Sequence, residues 1–309
     1  MAEERLSLET SLADLPKPAW IEAIADICAA DGFFARLGER HFAAFVEQKP
    51  TLLVTFETFQ GMRALSTRAH PLGWSLQRSE GWSTLCIASD GDTWFRDATL
   101  YAFMDRMVDD GFFDEFETVI FYGAGPCAYA AAAYSVASPG ARVLAIQPQA
   151  TLDPRVTEWD DRFEDMRRTD FTSRYGYAPD MLDGADRAFV IYDPSERLDA
   201  MHAALFTRPN VTKLRMRHMG AAIQTDLLEL HLLTPILQQI AKGTLDTASF
   251  ATLARARRDY APYLRNLMTA LDAGKRYGLT RMLARNVTER MKAPRFERRL
   301  KELEAAQDG

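Results

Sequence analysis

The chain has 309 residues, 47% of them hydrophobic and 26% charged, with a formal net charge of -6. This is room for one large domain or two smaller ones, in a composition ordinary for a soluble globular protein. No apolar run reaches the roughly 18–20 residues of a membrane span, the acidic opening MAEERLSLETSLADLP is no secretory signal, and Cys28, Cys86 and Cys127 show neither metal nor redox spacing.

Taken in order, residues 18–48 carry apolar side chains at helical spacing (Trp20, Ile21, Ile24, Ile27, Cys28, then Phe42, Phe45 and Val46) and are expected to form an N-terminal helical segment, 1–49, with His41 in a structural role. Strands are expected at TLLVTF (51–56), STLCIAS (83–89), TVIFY (118–122), RVLAIQ (142–147), AFVIY (188–192) and VTKLRM (211–216), with helical sequence between most of them, notably 128–137, 196–206 and 221–241. Short apolar strands alternating with helices predict an α/β fold: a mostly parallel, doubly wound sheet covered on both faces, here over residues 50–242. A long excursion rich in Asp, Arg and aromatics, 148–186, leaves the carboxyl end of the fourth strand and is placed to act as a lid. Residues 243–309 read as a helical region. From residue 241 onward there are 15 Lys+Arg against 8 Asp+Glu, a net of +7, which leaves -13 on the first 240 residues. A basic end on an acidic body can dock on its own chain, bind an acidic partner, or stay solvated; without a recognisable motif it does not predict nucleic-acid binding.

The centre of the pattern is 117–134, ETVIFYGAGPCAYAAAAY: strand, glycine turn, helix. Gly123 and Gly125 stand where the backbone must bend, and Pro126 suits a first helical position. One reading takes Gly123-Ala124-Gly125-Pro126-Cys127-Ala128 as G-x-G-x-x-A, a dinucleotide-binding turn similar to the GAGPxG turn of flavin and nicotinamide enzymes, which implies an oxidoreductase with FAD or NAD(P). The acid expected at the end of the next strand is absent, that place being held by Gln147.

The other reading draws on more of the chain. YGAGPCAYAAAAYS resembles the YGSSMGGYAAL elbow of a bacterial branch of the α/β-hydrolase superfamily. So do Gln147-Pro148-Gln149-Ala150-Thr151-Leu152-Asp153-Pro154 and Asp160-Asp161-Arg162-Phe163, which are similar to the SPQxTIDP and D-x-R-[FW] segments of that branch. VIYDP, with Asp193, resembles its acid-bearing strand, and Arg217-His218-Met219-Gly220 its histidine loop, in the order nucleophile, acid, histidine. The resemblance covers about residues 50–240, and it fails where the chemistry is done. Gly125 stands at the nucleophile position, and Pro126, which follows it, has no N–H for an oxyanion.

The resemblance therefore implies a hydrolase-like protein without the serine nucleophile: a pseudoenzyme, expected to bind a small molecule or a protein and to need no cofactor or metal. The triad-equivalent positions are Gly125, Asp193 and His218, and the expected ligand-binding set is Gly123, Gly125, Gln147, Asp193, Arg217 and His218. A third possibility makes Cys127 the nucleophile of an elbow shifted by two residues, with His218 and Asp193 completing the set. A cytoplasmic location is expected.

Overall fold

The computed structural model describes residues 6–308. Helix α1 (Lys17–Asp31) leads into strands β1 (Gly32–Leu37) and β2 (His41–Val46), followed by β3 (Thr51–Thr58), α2 (Phe59–Leu65), α3 (Gly73–Glu80), β4 (Ser83–Ser89) and α4 (Ala98–Asp109). The central part is β5 (Thr118–Ala124), α5 (Pro126–Tyr134), β6 (Arg142–Ile146), the short helices α6 (Pro154–Thr157) and α7 (Ala178–Met181), β7 (Arg187–Tyr192), α8 (Arg197–Leu205) and β8 (Val211–Arg215). Helices α9 (Ile223–Glu229), α10 (Leu233–Ala241), α11 (Thr247–Leu253), α12 (Ala261–Ala273), α13 (Tyr277–Arg290) and α14 (Pro294–Asp308) complete the chain.

The strands form one eight-stranded sheet in the order β1-β2-β4-β3-β5-β6-β7-β8. From β4 to β8 every neighbour is parallel; β1–β2 and β2–β4 are antiparallel. The α/β-hydrolase-like architecture expected from the sequence is the one observed. All six expected strands are present, within a residue or two of their predicted ends except β3, which runs two residues further.

Residues 32–46 depart from expectation. They form a strand hairpin rather than the second half of a helix, with Phe33 opposite Phe45 and Leu37 opposite His41. The stretch is dense in Phe and Val, and β2 is buried along its whole length between β1 and β4. Apolar side chains on both faces leave no contrast from which a period can be read, so the spacing of Phe42, Phe45 and Val46 mimicked a helix. His41 lies in β2, buried, its Nε2 2.7 Å from Thr93 Oγ1, and burial pulls its pKa down.

Alternation along the strands divides the core. Leu52, Val54, Phe56, Phe121 and Val143 face α4 and α5, whereas Leu53, Ile120, Leu144 and Ile191 face α9 and α10. The alanines of α5 are fully buried, small enough to let the helix lie close over the sheet, while Tyr129 and Tyr134 reach out to donate hydroxyl hydrogen bonds to the carbonyls of Tyr175 and Phe95. The 148–186 excursion packs firmly here: Phe163 and Phe171 meet the Trp94 ring edge-on, and Tyr175 lies on Tyr134. Among the described residues no helix is long and apolar enough to cross a membrane.

Candidate functional site

Strand β5 turns into α5 through Gly125, whose φ of 59° and ψ of -128° lie where only glycine rests without strain. Its N–H donates to Ile146 O (2.8 Å), and its carbonyl accepts from Ala128 N–H (2.9 Å) and Tyr129 N–H (3.2 Å). Two residues earlier, a Cβ on Gly123 would lie 2.1 Å from Cys127 O, so α5 rests directly on the strand backbone. A Cβ on Gly125 would instead meet nothing within 4 Å. The turn is thus a sharp elbow that presents residue 125 to open space, the geometry by which a hydrolase exposes its nucleophile, occupied here by a residue without a side chain.

This turn does not fit a pyrophosphate. Such a group needs converging free amides, but the Gly125 and Ala128 N–H groups are spent on carbonyls and Pro126 has none. Gln147, at the end of the following strand, is likewise engaged: its amide Nε2 donates to Asp199 Oδ2 (2.7 Å), and its Oε1 accepts from Ile223 N–H (3.0 Å).

Asp193 follows β7 and is fully buried. Its Oδ1 accepts from Ser195 N–H (2.7 Å) and its Oδ2 from Gly220 N–H (2.8 Å). The carboxylate therefore fastens the loop after β8 by its backbone. His218, in that loop, is half-buried with φ 67°, and among the described residues its ring makes no hydrogen bond, to Asp193 or to any other group. Burial lowers its pKa, Arg217 and Arg257 push the same way, and the Asp193 charge opposes them. On the far side, Asn266 of α12 donates through Nδ2 to the His218 carbonyl (3.1 Å). Arg217 is exposed.

Cys127 sits in the first turn of α5, buried in the core shared with α4. Burial, reinforced by the Glu57 and Asp92 carboxyls, drives its thiol far above the ordinary range, the opposite of what a nucleophilic thiolate needs.

A cavity of about 400 Å³ opens beside the elbow, lined by Gly125, Gln147, Gln149, Arg162, Phe163 and Asp199 together with the start of α9. Of the residues singled out from the sequence as ligand-binding, Gly125 and Gln147 line it; Gly123, Asp193, Arg217 and His218 do not.

Sequence reasoning named Asp160 and Arg162 only as parts of a motif and missed what they build. Arg162 grips Asp160 through Nε (3.0 Å to Oδ1) and Nη2 (2.8 Å to Oδ2), and it reaches Asp199 Oδ1 through Nη1 (2.6 Å). Behind them His202, fully buried, accepts Ala150 N–H at Nδ1 (3.1 Å), so Nε2 carries the proton and donates to Asp160 Oδ2 (2.8 Å). Burial alone would raise the Asp160 pKa, but the hydrogen bonds from His202 and Arg162 prevail and hold its carboxyl well below the usual range. Asp199 and His202 stand three apart on the buried side of α8, and that polar pair in a core-facing helix is the sequence signal that would have found them.

A second buried carboxyl, Glu57 near the end of β3, lines a separate cavity of about 360 Å³ that shares Gln224 with the first. Burial raises its pKa, against hydrogen bonds from Thr55 Oγ1 (2.6 Å) and Leu72 N–H (3.1 Å).

No family model and no curated protein matches the chain. Solved structures similar to it include the Glycosylation Associate Protein (Gap123) complex from Streptococcus agalactiae, at 13% identity and TM-score 0.43 over 64% of this chain and 44% of that one. Est1E from Butyrivibrio proteoclasticus is similar at 13% identity and TM-score 0.41, over 68% and 98% of the two chains. Mouse alpha/beta hydrolase domain-containing protein 10 is similar at 11% identity and TM-score 0.42, over 68% and 97%.

Proposed function

We propose that this protein binds a small ligand in the cavity beside the elbow and does not catalyse acyl transfer. The observation that carries this reading is the elbow itself: Gly125 holds the nucleophile position in strained geometry with open space before it and offers no nucleophilic atom. The companion losses agree. Pro126 removes the oxyanion amide, and Asp193 has both oxygens committed to backbone N–H groups rather than to the His218 ring. The cavity nevertheless keeps a built wall of hydrogen-bonded polar side chains, which a merely collapsed site has no reason to retain.

The test is turnover. Short-chain p-nitrophenyl esters should be hydrolysed no faster by the protein than by its His218→Ala variant, and a fluorophosphonate probe should leave the chain unlabelled. Hydrolysis that His218→Ala abolishes would overturn the proposal.

A further inference from the structure

The elbow cavity contains one polar atom that the protein leaves unsatisfied. Gln149 is 3% exposed and lines the cavity, and its Oε1 has no hydrogen-bond partner. Its orientation is not arbitrary. The amide Nε2 donates to the Gln147 carbonyl (3.3 Å), and turning the amide over would set two oxygens against each other, so the oxygen is the end left over. A buried acceptor without a donor is costly, and a ligand that supplies an N–H or O–H removes that cost.

The charges on the cavity wall restrict the ligand further. The two full charges lining it, Arg162 and Asp199, are paired with each other at 2.6 Å. Behind them Asp160 adds a negative charge that also holds Arg162, and His202 is neutral because its Nδ1 accepts a backbone N–H. No uncommitted cation lines the cavity among the described residues, so an anion entering it gains no partner for its desolvated charge. Donors still remain for a neutral ligand. Arg162 Nη1 and Nη2 each have a second N–H beyond those given to the carboxylates, and the Thr225 hydroxyl lies on the opposite wall. The Phe163 ring supplies an apolar face.

Resting on the non-catalytic reading of this site, we infer that the cavity takes a neutral organic ligand of about monosaccharide size that donates an N–H or O–H to Gln149 Oε1, and that it rejects carboxylates and phosphates. Volume agrees, since about 400 Å³ falls within the range of small-molecule sites.

The experiment uses three probes on one ring: N-acetylglucosamine, glucosamine and glucuronate, neutral, cationic and anionic, titrated into the full chain by ligand-observed NMR. N-acetylglucosamine should bind best, with glucuronate weaker by about ten-fold or more. Gln149→Leu should weaken N-acetylglucosamine about ten-fold or more, whereas Gln149→Glu, which keeps an acceptor there, should retain it and weaken glucuronate further. Glucuronate or glucosamine binding more tightly than N-acetylglucosamine overturns the inference. So does the failure of all three to bind, or N-acetylglucosamine binding that both variants leave unchanged. Ester turnover measured on the same samples separates the two proposals: turnover sinks the non-catalytic reading, and tight binding of the anion without turnover sinks only the ligand class.

Discussion

At Gly125 and Gly123 the chain uses glycine for two different reasons, and substitution separates them. At position 125 only the backbone conformation demands it, so Gly125→Ser should fold with a loss of about 1–3 kcal/mol, read by urea denaturation. It should still not hydrolyse esters, because Pro126 supplies no N–H and the His218 ring is not hydrogen-bonded to Asp193; ester turnover restored by that one change would contradict this account. At position 123 the obstacle is the Cys127 carbonyl, 2.1 Å from any added Cβ. Gly123→Ala must push α5 off the sheet, and a loss of about 3 kcal/mol or more is expected, with little folded protein recovered. Cys127 itself should resist iodoacetamide at neutral pH in the native protein and react only after denaturation, with a rate that His218→Ala does not alter.

The 148–186 segment owes its order to polar and aromatic contacts together, Arg162 between two carboxylates and Phe163 and Phe171 against Trp94. Asp160 ties this segment to α8 through His202 and carries a depressed pKa, which fixes the sign of its pH effect. A carboxylate held below its unfolded value of roughly 3.9 contributes stability fully above that pH and loses it as pH falls toward the folded value. The unfolding free energy should therefore decline below about pH 5, and Asp160→Asn should flatten that decline. At neutral pH the same variant should cost about 1–3 kcal/mol, since Asn can still accept from His202 but sets an amide N–H against the guanidinium. An acid limb of the same steepness in wild type and Asp160→Asn would show that the latch contributes nothing.

Over the whole molecule, the carboxyl-terminal helices are joined to the sheet rather than hung from it. Leu245, Phe250 and Ala254 belong to the core under β8, the Tyr260 hydroxyl donates to Asp226 Oδ1 (2.8 Å), and Asn266 holds the histidine loop. Helices α12 to α14 add a small cluster of their own around Leu264, Met268, Val287 and Phe296. Asn266→Ala should leave the sheet intact yet speed hydrogen exchange at the amides of 218–220, because that loop would then be held chiefly by Asp193. Unchanged exchange there would mean that Asn266 braces nothing.

The strands and their order of use were legible in the sequence because each is a short β-branched or aromatic run closed by a turn, and so was the emptied elbow, since Gly125 and Pro126 state their missing atoms outright. The β1–β2 hairpin was not, because burial on both faces erases the alternation that marks a strand. Asp193 and His218 were rightly placed after β7 and β8, but sequence order says nothing of which oxygen meets which N–H, and the folded chain gives both Asp193 oxygens to backbone amides. The cavity wall lay still further from view. Gln149, Arg162, Asp199 and His202 come from three segments of the chain, and only the crossing of the 148–186 excursion over α8 brings them together, pairs their charges, and leaves one buried oxygen waiting for a donor.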